Sequence, residues 1–201
     1  MDIEKRINEI VDRLKVVNYQ EELLDSESQF ISIKRGFYQL NNGESIDRES
    51  VVKNVGTGCA AVVFAVTKEK KILVVIHPRV VLSSSTKINV ELPAGYIEKG
   101  EEGIDAARRE LLEETGYSTH NIRKLDSYYP SLGVGSERID LFMALDCEKK
   151  SIPHLDDDEF LDYEEVTLEE YEYLLKNSYM NGVNERMGYF YYLDYLKKAD
   201  L

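Results

Sequence analysis

The chain has 201 residues, and 43% of them are hydrophobic, which suits one domain with a sizeable core and a terminal extension. Its 25 basic and 38 acidic side chains leave a net charge of −13, which argues against general nucleic-acid or anionic-membrane binding. No stretch is apolar enough for a membrane span and the start MDIEKRINEI has no signal-peptide core, so a cytoplasmic location is the expectation.

Residues 1–17 place Ile3, Ile7, Ile10, Val11, Leu14 and Val17 at helical spacing. The pattern predicts an amphipathic helix packed on the domain or on a partner subunit. Residues 28–40 alternate like a strand, Asn42-Gly43 marks a turn, and residues 44–55 read as a second strand. The apolar runs 58–66 and 71–76, split by a charged turn, predict a buried hairpin. Cys59 and Cys147 stand in apolar, strand-like runs and read as buried free thiols rather than a disulfide or a metal site. Residues 89–92 form a short strand leading to the most informative segment, GYIEKGEEGIDAARRELLEETG, residues 95–116.

Ala106, Ala107, Leu111 and Leu112 favour a helix, Asp105 suits its first turn, and Gly116 stands where it should stop. On that helix Glu110 and Glu113 are i, i+3, and Glu110 and Glu114 are i, i+4, so all three point from one face. Like charges at that spacing destabilise a helix by roughly 0.2–0.5 kcal/mol per pair. A hard divalent cation reverses the sign, and Mg²⁺ is held by a few carboxylates plus substrate phosphates. Arg109 is i, i+4 to Glu113 and can fix it. The plainer alternative is a solvated helix face, but it leaves the recurrence of the whole pattern to chance.

With Tyr117, this segment matches the Nudix box at every defining position, Leu111 and Tyr117 filling the apolar slots. The chain therefore resembles the Nudix hydrolases, which cleave a nucleoside diphosphate linked to another moiety with Mg²⁺ or Mn²⁺. The resemblance implies an α/β fold, the Nudix α/β/α sandwich with a mixed sheet. It implies that Glu110, Glu113, Glu114 and the carbonyl of Ala94 carry the metal, with Glu110 and Glu114 catalytic. It also implies that Arg109 orients the carboxylates, and that Glu101 and Gly95 support the site.

After the box, residues 125–129 and 139–147 read as strands separated by a Gly-rich loop, and 160–166 as a further strand. A helix over 168–177 is opened by Thr167 as cap with Glu170 three residues on, and 189–198 forms the last helix. Its tyrosines, Tyr189, Tyr191, Tyr192 and Tyr195, read as core or dimer packing. The acidic run Asp156-Asp157-Asp158-Glu159 reads as a solvated loop. The domain division implied is 1–55, a helix and strand extension available for dimer contact, and 56–201, the Nudix domain.

Residues 128–142, YYPSLGVGSERIDLF, resemble the segment following the box in ADP-ribose pyrophosphatases. That resemblance makes Glu137 the base that activates water, against the plainer reading of a β-turn with a solvated Glu-Arg pair. Arg79, at the end of a buried strand in VVIHPR, matches an arginine that contacts substrate phosphate or ribose. Arg48 matches one near the base in some relatives, although an exposed strand-edge arginine explains it as well, and His77 reads as structural. The expected partner is a nucleotide-sugar substrate, ADP-ribose foremost, with GDP-mannose, another nucleotide sugar or a dinucleotide as alternatives. A non-catalytic sensing module is a further alternative, disfavoured by the complete set of box carboxylates. Relatives of this type imply a homodimer sharing N-terminal strands.

Overall fold

The computed structural model describes residues 3–14, 28, 30–39, 45–79, 88–156 and 159–199. The elements among them, in chain order, are α1 (Ile3–Leu14), β1 (Ile31–Gln39), β2 (Ser45–Lys53), β3 (Cys59–Thr67), β4 (Ile72–Pro78), β5 (Ile88–Glu91), β6 (Ala94–Tyr96) and α2 (Gly103–Thr115). There follow β7 (Tyr117–Ser118), β8 (Ile122–Tyr128), β9 (Arg138–Lys149), β10 (Asp162–Val166), α3 (Leu168–Lys176) and α4 (Val183–Ala199).

β3 is apolar along nearly its whole length, a pattern that a strand sustains when both its faces are covered. Its alternate side chains serve two cores. Val62, Phe64 and Val66 pack with Ile3, Ile7 and Ile10 of α1, Tyr171 and Leu174 of α3, and Tyr192 of α4. Ala61, Val63 and Ala65 pack with Ala106, Ala107 and Leu111 of α2. The small side chains on this second face let the helix carrying the box lie close to the sheet.

The sheet runs β10-β4-β3-β9-β7, with β5 paired to β4, β6 to β3 and β8 to β9. β3 and β9 are parallel and the other pairs antiparallel, so the sheet is mixed and lies between helices on both faces. This is the expected α/β/α arrangement. β1 and β2 form a separate antiparallel ribbon, tied to the domain where the Val51 N–H donates to the Val134 carbonyl at 2.8 Å.

The expected elements are present, and the differences have physical causes. α1 belongs to the main core: Ile7 is 0% exposed, and Arg6 bridges to Glu164 and Glu170 at 3.2 and 3.0 Å. Residues 15–17 of the expected helix and the Asn42-Gly43 turn lie outside the described residues. β8 starts at Ile122 rather than 125, because Ile122 pairs with Ala144 while the intervening Arg123 and Lys124 are solvent-facing. α4 starts at Val183 rather than 189 and carries Gly188 inside it. A Cβ there would meet Phe64 at 2.6 Å, so the glycine serves helix–sheet packing, not helix termination. Thr167 and Glu170 form the expected capping box. Of the two cysteines, Cys147 is buried as expected, but Cys59 is only half-buried, as the first residue of β3.

The burial of Ile7 against β3 and β4 carries an expected outcome. Ile7→Ala should lower the free energy of unfolding by about 2–5 kcal/mol, measured by urea denaturation. An unchanged midpoint would make α1 accessory.

Candidate functional site

α2 ends as its sequence directs: Gly116 takes a left-handed φ of 73° and its N–H bonds the Leu112 carbonyl at 2.8 Å. β6 runs beside the helix and holds Gly95 against Glu110. A Cβ on Gly95 would overlap the Glu110 carboxylate, so glycine is required by close approach.

Arg109 organises the carboxylates. Its Nε and Nη2 donate to Glu101 Oε1 and Oε2 at 3.0 and 3.1 Å. Its Nη1 donates to Glu110 Oε1 at 2.7 Å and to Glu113 Oε2 at 3.1 Å, and Nη2 also reaches the Tyr96 carbonyl at 3.0 Å. A planar fork of five donors is the side chain suited to this task. Hydrogen bonding to Glu101, against the cost of burial, raises the pKa of Arg109, and the same contact lowers that of Glu101.

Glu110 and Glu114 are only 7% and 3% exposed. Burial pushes Glu110 up to about 7, against the pull of Arg109, with Glu113 and Glu159 adding to the rise. Glu114 is raised well above the usual carboxylate range, first by burial and then by Glu110, although it accepts the Ala94 N–H at 2.9 Å. No cation pairs with Glu114 among the described residues. Buried negative charge held so is the condition that a divalent cation relieves, and an all-oxygen donor set suits a hard one. As they stand, no three His, Cys, Asp or Glu side chains enclose a cation among the described residues. The reason is local: Glu110 and Glu113 turn onto Arg109, and Glu114 onto the Ala94 amide.

These groups line a cleft of about 580 Å³, within the size range of small-molecule sites. The structure brings most of the expected residues to it: Ala94, Gly95, Arg109, Glu110, Glu113, Glu114, Arg79, Pro130 and Glu137. Glu101 stands behind the lining and acts through Arg109. Arg79 is held by Glu91, with Nε and Nη2 donating to its two oxygens at 2.7 and 2.8 Å. His77 also faces the cleft, and burial followed by the charge of Arg79 lowers its pKa, which suits a neutral structural ring. Arg48 does not reach the cleft. It is exposed on β2 and donates to the Asp47 carbonyl at 3.0 Å.

Two findings go beyond the sequence reading. The run 156–159 is not simply a solvated loop, since Asp156 and Glu159 line the cleft; residues 157–158 lie outside the described residues. The loop is brought there by α2's end, where His154 N–H bonds the Glu113 carbonyl at 2.8 Å and Lys150 N–H bonds that of Gly116 at 2.8 Å. Lys53 of β2 also lines the cleft, beside Tyr96 and Glu137. Strand parity was the available signal, because Lys53 and Arg48 are an odd number of residues apart and point to opposite faces.

A family model described as the NUDIX domain matches residues 57–185. The chain is 42% identical over 136 residues to the ADP-ribose pyrophosphatase of Bacillus subtilis (strain 168), covering 66% of this chain and 68% of that protein. It is 42% identical over 133 residues to the methanol dehydrogenase activator of Bacillus methanolicus, covering 66% and 68%. A solved structure, "Crystal structure of ADP compounds hydrolase", superposes with a TM-score of 0.71 over 87% of this chain and 91% of that one, at 18% identity, a likeness of fold.

The raised carboxylates predict a pH dependence with a defined sign. Glu110 rises from an ordinary value of 4.5 to about 7, so across that window the folded state keeps a proton that the unfolded chain has lost. Stability therefore falls as pH rises from about 5 to 7, and Glu185, buried in α4's first turn and also pushed up to about 7, adds to the trend. In chelator the melting temperature should fall over this range. The increment from Mg²⁺ should be larger at pH 8 than at pH 5, because protons compete for the same carboxylates. Equal increments at both pH values would place the cation elsewhere.

Proposed function

The chain belongs to the Nudix family, and from that premise we propose that it hydrolyses the diphosphate of ADP-ribose to AMP and ribose 5-phosphate. One observation carries the reading: Glu110, Glu113 and Glu114 share a single cleft with Arg79, Pro130 and Glu137. The two relatives at 42% identity bear different names, so the substrate rests on this cleft and on the likeness to the ADP-ribose pyrophosphatase.

Mg²⁺ or Mn²⁺ held by Glu110, Glu113, Glu114 and the Ala94 carbonyl would neutralise phosphate charge and make a water more acidic. The chain's own residues do the rest. Arg109 keeps Glu110 and Glu113 aligned, and the Ala94 amide fixes Glu114. Arg79, clamped by Glu91, presents its remaining donors to a phosphate oxygen. Glu137 takes the proton of the attacking water as its oxygen bonds to phosphorus and the anhydride P–O bond breaks, the electron pair leaving with the departing phosphate.

A second reading of the base has its own observation. Glu159 lines the same cleft as Glu110 and Glu114, and its charge adds to the rise in proton affinity of both, whereas Glu137 lies 3.9 Å from the Lys53 ammonium. A homodimer is part of the proposal, supported by Ile33 and Phe37, which the β1–β2 ribbon leaves exposed, and by Phe30 just before it. Among the described residues no helix is long and apolar enough to cross a membrane.

Incubation with ADP-ribose, GDP-mannose and NADH in Mg²⁺, with product identification, should show AMP released fastest from ADP-ribose. Faster release of a nucleotide from another substrate would overturn the substrate. Glu114→Gln should abolish turnover with the fold intact. Of Glu137→Gln and Glu159→Gln, the one removing the base should cost about 10²–10⁴-fold in kcat.

A further inference from the structure

The cleft's charge poses a problem for an anionic substrate. Carboxylates outnumber cations along its lining, and the cations among the described residues are Lys53, Arg79 and Arg109. Arg109 is committed to Glu101, Glu110 and Glu113, and Arg79 is bound through both its Nε and an Nη to Glu91.

Lys53 differs. Its Nζ donates to the Tyr96 hydroxyl at 3.1 Å, a neutral partner, and lies 5.7 Å from the centre of that ring. Its carboxylate partner, Glu137, is 3.9 Å away, beyond hydrogen-bond reach. An ammonium has three donors, so this cation is pre-positioned and weakly held. Burial acts against its charge, Tyr96 and Glu137 sustain it, and the positive charge of Arg79 is felt across the cleft. An anion between Lys53 and Arg79 relieves that repulsion.

Resting on the reading of the cleft as a diphosphate site, we propose that Lys53 binds substrate phosphate by exchanging partners, leaving Glu137 for a phosphate oxygen. The exchange couples binding to chemistry, because the arriving phosphate draws the cation away from the carboxylate that faces the attacking water. It also gives the β1–β2 ribbon a part in the site, since Lys53 is the last residue of β2.

Calorimetric titration in Mg²⁺ tests this with two probes, the non-hydrolysable α,β-methylene analogue of ADP-ribose and methylenediphosphonate, which carries the phosphoryl pair alone. Lys53→Met should weaken both by about tenfold or more, the scale of one charge-assisted hydrogen bond. Lys53→Arg should restore most of the loss. Glu137→Gln should tighten binding, and in the Lys53→Met background this gain should vanish. Melting curves identify any variant that fails to fold, and Lys53→Arg then carries the comparison with Glu137→Gln. Wild-type affinity in Lys53→Met, or an equal effect of Glu137→Gln with and without Lys53, overturns the proposal. Binding of methylenediphosphonate without the nucleotide analogue overturns the ADP-ribose assignment and leaves Lys53 tested.

Discussion

Everything in the site depends on one guanidinium. Arg109 bonds three carboxylates and the Tyr96 carbonyl, and so ties α2 to β6 and to the loop carrying Glu101. Without it Glu110, Glu113 and Glu114 would meet as like charges on one helix face, two of them buried. Bonding of this kind is directional as well as attractive, which a lysine's point charge is not. Gly95 is the geometric counterpart, since its missing side chain makes the room that the Glu110 carboxylate fills.

The sheet makes this arrangement rigid. β3 is buried on both faces, and the alternation of its side chains sets α2 on one side and α1, α3 and α4 on the other. The cleft is then assembled from parts remote in sequence: Lys53 from β2, Arg79 beyond β4, Glu91 from β5, the box, His154, Asp156 and Glu159, and the residues opening α4. The chain's net charge of −13 would give the proposed anionic substrate no general attraction, so its recognition would fall to a few local cations and a bound metal.

What was legible in the sequence was local. The box helix with its glycine stop, the Thr167 capping box and the β3–β4 hairpin all follow from spacings of a few residues. The expected box residues meet for the same reason, since helix periodicity alone puts Glu110 and Glu114 on one face. The remainder required tertiary knowledge. Glu159 lies in what reads as a solvent-loving acidic run, and backbone bonds from residues 150, 151 and 154 to the end of α2 help bring Asp156 and Glu159 to the cleft. The last helix begins at Val183 rather than the expected 189, and Gly188 lies inside it where Phe64 packs in the place of a side chain. Arg48 is the cation expected from this segment, and it is Lys53, of opposite parity on the same strand, that lines the cleft.

The central claim is that Arg109 gathers Glu110 and Glu113 beside Glu114, so that an arriving cation has only to turn them from their present partners, and the affinity for Mn²⁺ measured by electron paramagnetic resonance tests it most directly. The account predicts that Arg109→Lys, which keeps the charge and loses the fork, weakens Mn²⁺ binding about tenfold or more with little change in melting temperature. Unaltered Mn²⁺ affinity in a folded Arg109→Lys protein would contradict it.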